Sequence, residues 1–128
     1  MKKLSVLILE DGMFKYHHIK TALEECCLPT VSWAGNVEQG LELIAKARGE
    51  GAGFDLIITD MHYPLRETEN ANPKAGMVLM QRLKEEGVDT PVILCSSDRY
   101  EINQAFACIW YSEARSLSLD LREVIMRL

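Results

Sequence analysis

The chain lacks several features that would settle its class at once. It has no apolar run near the ~18 residues that cross a bilayer, and Met1-Lys2-Lys3 leads only into Leu4–Leu9 before Glu10-Asp11. That run is too short for a secretory leader, so the expected location is cytoplasmic, with no membrane partner. It lacks basic excess: the net charge is −5, which argues against nucleic acid as a partner. Cys26, Cys27, Cys95 and Cys108 show no C-x-x-C spacing, and a vicinal pair makes a poor disulfide. They are expected to be reduced thiols without a metal or redox role. There is no G-x-x-x-x-G-K-[ST] loop and no G-x-G-x-x-G fingerprint, which removes the usual nucleotide-binding classes. No repeat, low-complexity tract or linker divides the 128 residues, so residues 1–128 read as one domain. A chain of this length, 48% hydrophobic and 26% charged, can bury a core of its own.

What is present is an alternation of strand and helix patterns. Leu4–Leu9, Phe54–Thr59 and Val92–Cys95 are short, rich in Val, Ile and Leu, and not alternating, as expected of parallel strands covered on both faces. Val31–Ala34 and Cys108–Tyr111 are weaker candidates that complete five strands. Between them, Phe14–Cys27, a segment capped by Asn36 with Gln39 three residues on, Ala75–Glu86 and Leu119–Leu128 carry helical spacing. The Gly49–Gly53 stretch stops the second helix and Gly87 the third. The order predicts an α/β fold, a doubly wound five-stranded parallel sheet. Arg99–Ala107 is barely long enough for a crossover, so the fourth helix is expected to be shortened. Pro64–Lys74 is a polar loop after the central strand.

In an open parallel sheet the site lies beyond the carboxyl ends of the strands. Glu10 and Asp11 follow the first strand, Asp60 the third, and Ser96 and Ser97 the fourth. Three carboxylates converging there repel unless a cation joins them, and hard oxygen donors suit Mg²⁺. A divalent ion would also shield an aspartate that attacks a phosphoryl group.

These residues, taken in order, resemble the receiver domain of bacterial two-component response regulators over nearly the whole chain. The resemblance rests on Val6–Asp11 with its acidic pair, Asp55–Pro64 around Asp60, Pro91–Ser97 with its hydroxyl, and Gly76 opening the third helix. It implies a flavodoxin-like receiver fold in which Asp60 accepts a phosphoryl group from a phosphohistidine of a histidine kinase or phosphotransfer protein. Asp11 and Asp60 would bind Mg²⁺, with Glu10 acting directly or through water and the backbone carbonyl of His62 as a further ligand. Ser96 would hydrogen-bond the phosphoryl group. Enzymatic action would be limited to self-phosphorylation and dephosphorylation, and so short a chain would signal as a stand-alone module through a downstream protein.

The resemblance breaks after the fifth strand. The family's Lys there is missing from Cys108–Arg115; Ser112 most nearly takes its place, and Arg115 reaches back only if the loop curls. The long loop adds Arg66, Glu67, Glu69 and Lys74 beside the proposed site, where Arg66 or Lys74 could swing onto a phosphate. The alternative is a degenerate receiver-fold interaction module that does not use phosphorylation. Other readings fare worse. A dehalogenase-type phosphatase wants a second Asp at the position of His62, and Glu10-Asp11-Gly12 repels a flavin phosphate. His17 and His18 point about 100° apart on a helix and cannot easily share an ion. Trp33, Trp110 and Tyr111 read as core or partner-facing aromatics.

Overall fold

The computed structural model describes residues 1–128. Its main sheet comprises β1 (Lys3–Leu9), β2 (Leu28–Ala34), β3 (Leu56–Thr59), β6 (Val92–Ser96) and β7 (Ala107–Trp110). The strands run parallel in the order β2-β1-β3-β6-β7. A short antiparallel pair, β4 (Tyr63–Pro64) and β5 (Ala71–Asn72), lies in the segment expected to be a plain loop. The helices are α1 (Met13–Glu24), α2 (Val37–Gly49), α3 (Ala75–Glu85) and α4 (Leu117–Ile125).

Consecutive strand residues point to opposite faces, and the apolar strands therefore feed two cores. Val6, Ile8, Leu56, Ile58, Ile93 and Cys95 pack with α1 and α4 through Ile19, Leu23, Leu117 and Leu121. Leu7, Leu9, Ile57 and Val92 pack with α2 and α3 through Val37, Ile44, Leu79 and Leu83. This explains the unbroken hydrophobic runs: Val6–Leu9 of β1 and all of β3 are buried on both faces. The α/β doubly wound parallel sheet predicted from the pattern is the observed fold.

Local signals place the helix ends. Asn36 accepts from the Gln39 amide N–H at 2.8 Å, while the Gln39 side chain returns to Gly35 N–H at 3.3 Å, one residue earlier than a standard capping box. Gly87 ends α3 at φ +68°, the left-handed conformation that favours glycine. α4 starts at Leu117, two residues before the predicted Leu119, with Ser116 as its cap, and α1 stops at Glu24 rather than Cys27.

The fourth crossover corrects the expectation of a shortened helix: Ser97–Phe106 contains none. The segment is held instead by isolated contacts. Asp98 N–H donates to Ser96 Oγ at 3.2 Å, Trp110 Nε1 donates to Ser97 O at 3.0 Å, and the Arg99 guanidinium lies 4.8 Å from the Trp110 ring centre. Ten residues that must also leave β6 and re-enter β7 have no length left for a stable turn of helix. No helix in the chain is long and apolar enough to cross a membrane.

Candidate functional site: an acidic cluster with a built-in lysine

β1 pairs with β2 on one side and β3 on the other, so the topology reverses direction between β1 and β3. The crevice at that switch point is where open α/β sheets place their sites. Glu10 and Asp11 leave β1 there and Asp60 leaves β3. The carboxylates of Glu10, Asp11 and Asp60 can each offer an oxygen within 4.8 Å of the others. The three acids singled out from sequence are thus brought together.

They are not equivalent. Glu10 is only 4% exposed; its Oε2 accepts from Gly12 N–H at 2.9 Å, while the buried Oε1 has only an ion-pair neighbour, described below. Asp11 is exposed. Asp60 Oδ1 accepts from Met61 N–H at 2.8 Å, which fixes the carboxylate and leaves Oδ2 without a partner in the protein. Burial is the main influence raising the Glu10 pKa; Lys15 and the Gly12 amide oppose it, and the like charge of Asp60 adds to it. Three carboxylates within reach of one another, one of them buried, are a hard-oxygen donor set that fits a divalent cation.

The residue that sequence reasoning missed is Lys15. Its side chain, 13% exposed, places Nζ 3.0 Å from Glu10 Oε1 and 3.2 Å from Asp60 Oδ1. The ammonium also donates to Cys95 O at 2.8 Å and sits 5.2 Å from the Tyr111 ring centre. Burial disfavours its charge, but Glu10 and Asp60 together outweigh that and hold Lys15 above the ordinary lysine value. A signal existed. Lys15 is the third residue of α1, where the helix dipole disfavours a cation, and helical side chains lean toward the N-terminus. A lysine there needs acidic neighbours.

The close fit of β3 to α3 explains Gly76. A Cβ on it would lie 2.7 Å from Asp60 O and 3.1 Å from Met61 Cα, both backbone atoms that cannot step aside. Below the site, Tyr63 is buried with its hydroxyl 2.8 Å from Thr59 Oγ1. Burial raises the Tyr63 phenol well above its usual value, and pushes the Cys95 thiol up to about 12.

The remaining predicted residues have contacts of their own. Ser96 ends β6, buried, with Oγ turned to Asp98 N–H. The His62 residue is exposed. Ser112 does not supply the missing group: its Oγ accepts from Ala114 N–H at 3.1 Å in a turn. Arg115 is clamped to Asp120 at 2.7 and 2.9 Å and does not curl back. Arg66 is not at the site either, since it pairs with Glu38 at 3.0 Å and Glu69 at 3.7 Å on the outer surface. His18 Nδ1 meets Tyr111 Oη at 2.8 Å, and His17 and His18 are both exposed. All four cysteines are free thiols.

No family model and no curated protein sequence matches this chain. Solved structures do. The receiver domain of a Francisella response regulator is 21% identical, with a TM-score of 0.71 over 96% of this chain and 94% of that one. A response regulator of red-light signalling in R. palustris is 15% identical, with a TM-score of 0.74 over 98% of this chain and 93% of that one. A chemotaxis response regulator of Vibrio cholerae is 16% identical, with a TM-score of 0.69 over 96% of this chain and 99% of that one. The class this defines is the flavodoxin-like α/β sandwich with its site at the β1/β3 switch point. Within that class, the chain has the fold of a response-regulator receiver domain along nearly its full length.

Proposed function

We propose that this chain is a cytoplasmic receiver module that accepts a phosphoryl group on Asp60 from a phosphohistidine of a histidine kinase or phosphotransfer protein. The observation that carries this reading is Asp60 itself. It ends the central strand at the switch point, one carboxylate oxygen is held by the Met61 amide, and the other is unpartnered beside two further acids. In the transfer, a lone pair on Asp60 Oδ2 forms the new P–O bond as the donor's P–N bond breaks. The imidazole keeps that electron pair and takes a proton from solvent. Glu10, Asp11 and Asp60, with the His62 carbonyl, would hold Mg²⁺, which supplies charge neutralisation for the incoming phosphoryl group. Gly12 N–H and Met61 N–H orient two of those carboxylates, and Ser96 Oγ is released from Asp98 to meet the phosphoryl oxygens. Beyond this self-modification the chain has no enzymatic role in this reading; its output is a contact with another protein.

The test is intact-mass analysis after incubation with acetyl phosphate and Mg²⁺. One phosphoryl adduct is expected on wild type and none on Asp60→Asn. No adduct with any donor would move the assignment to the second reading, a receiver-fold interaction module independent of phosphorylation. That reading is favoured by one observation, the helix-free crossover Ser97–Phe106.

A further inference from the structure

We infer that Lys15 supplies the ammonium that neutralises the phosphoryl group during transfer to Asp60, delivered from the first turn of α1 rather than from the loop after β7. The inference rests on Asp60 being the acceptor. Its own support is geometric. Lys15 is the one basic side chain in ion-pair contact with Asp60. Its Nζ touches groups at the ends of three strands: Glu10 after β1, Asp60 after β3, and the Cys95 carbonyl in β6. The Tyr111 ring, just past β7, lies against it. The basic residue that follows β7, Arg115, is tied to Asp120, and Ser112 is folded into its own turn.

Two of these anchors remain when the carboxylates change partners. The Cys95 carbonyl and the Tyr111 face are neutral, so a cation taken up by Glu10, Asp11 and Asp60 displaces Nζ only from its ionic contacts. The ammonium then stays within a side-chain swing of any phosphoryl oxygen added at Asp60 Oδ2. As phosphorus passes from the donor nitrogen to Oδ2, negative charge spreads over its peripheral oxygens, and a preorganised ammonium in a largely water-excluded crevice is worth more there than in solvent. Transfer itself is balanced as above: Lys15 stays protonated throughout and forms or breaks no covalent bond.

The same geometry makes an opposite demand on metal binding. Nζ competes with a divalent ion for oxygens of Glu10 and Asp60, so removing the ammonium should leave Mg²⁺ affinity equal or higher. This separates a role in transfer from a role in holding the fold. The experiment compares wild type with Lys15→Met and Lys15→Gln, the latter retaining a donor for the Cys95 carbonyl without the charge. Mg²⁺ alone is titrated by Trp33 fluorescence, since the indole donates to Glu10 O at 2.7 Å. Adduct formation from acetyl phosphate is timed by intact mass. Both variants are expected to acquire the adduct about 100-fold more slowly, the loss typical of one preorganised donor, with Mg²⁺ bound at least as tightly as in wild type. Wild-type rates in either variant would overturn the inference. So would a matching loss of Mg²⁺ response and adduct, which would make Lys15 a structural residue. Absence of an adduct on wild type would remove the phosphoacceptor reading itself, a different result from any variant-specific change.

Discussion

The two halves of the sheet's carboxyl edge are built differently. Where β1 and β3 end, the backbone is clamped: Gly76 lets α3 lie against Asp60, Tyr63 fills the space beneath, and Lys15 ties three strands together. Where β6 leads to β7, a missing helix leaves an open groove of about 870 Å³, bordered by Phe106, Trp110, Arg99 and Arg127. Ile102 and Ala105 are the partly buried residues that pack there in place of a helix face. The chemistry-bearing side is therefore over-determined and the crossover side sparsely held. Asp60 has its firmest mechanical connections through α1 and α3 rather than through the fourth crossover.

The largest expected effects test that asymmetry directly. Ile58→Ala empties a position 1% exposed beneath Asp60 and should cost about 4 kcal/mol. Ile102→Ala, on the helix-free crossover, should cost below about 1 kcal/mol. Urea denaturation of both variants measures the contrast, and comparable losses would mean that the crossover is as firmly packed as the core. Gly76→Ala comes next. Its new methyl meets backbone on two sides, so about 2–3 kcal/mol should be lost, and the displaced Asp60 should weaken the Mg²⁺ response as well. A variant that melts lower but binds Mg²⁺ unchanged would show that α3 does not position the acceptor.

How far the sequence disclosed this follows the same division. The strands β1, β3 and β6 were legible because burial on both faces demands unbroken apolar runs, and the acids at their ends then defined the crevice. Asn36 and Gly87 were legible because caps are local chemistry. The apolar pattern of β2 is legible only from Val31, since Leu28–Thr30 includes a proline. Yet β2 is an edge strand paired only with β1, where proline is tolerated, and its ladder reaches Leu28. The tight fourth crossover was legible from length alone, which pointed to a shortened helix, whereas the contacts that hold the helix-free segment, such as Arg99 on Trp110, are encoded by no periodicity. Lys15 was hidden for another reason. The helix packing that brings α1 over Asp60 is a tertiary fact, and the position after β7 where a cation was expected holds none at the site.

A smaller effect, confined to alkaline pH, probes the clamped side from within. Burial raises the Cys95 thiol from 9.0 to about 12. Above the unfolded value, the unfolded chain loses a proton that the folded chain keeps, so stability falls as pH rises between those two values. At about pH 10.5 the shift amounts to about 2 kcal/mol. Cys95→Ala should therefore show a shallower decline of stability between about pH 9 and 11 than wild type, measured by urea denaturation. Identical slopes would mean that Cys95 is accessible to solvent in the folded state.

The smallest effect concerns the loop between β4 and β5. Its cations were expected beside the site, yet Arg66 is 69% exposed and its partner Glu38 55% exposed. An ion pair so open to water is screened by solvent and salt, and the ordering of two long side chains opposes what attraction remains. Arg66→Ala should then change stability by no more than about 0.5 kcal/mol. It should also leave the rate of adduct formation from acetyl phosphate at the wild-type value, because the guanidinium is directed to α2 and not to Asp60. Parallel urea denaturation and intact-mass time courses check both halves. A slower adduct with unchanged stability would mean that Arg66 leaves Glu38 for the phosphoryl group. In that case the loop, and not α1 alone, would bring positive charge to Asp60.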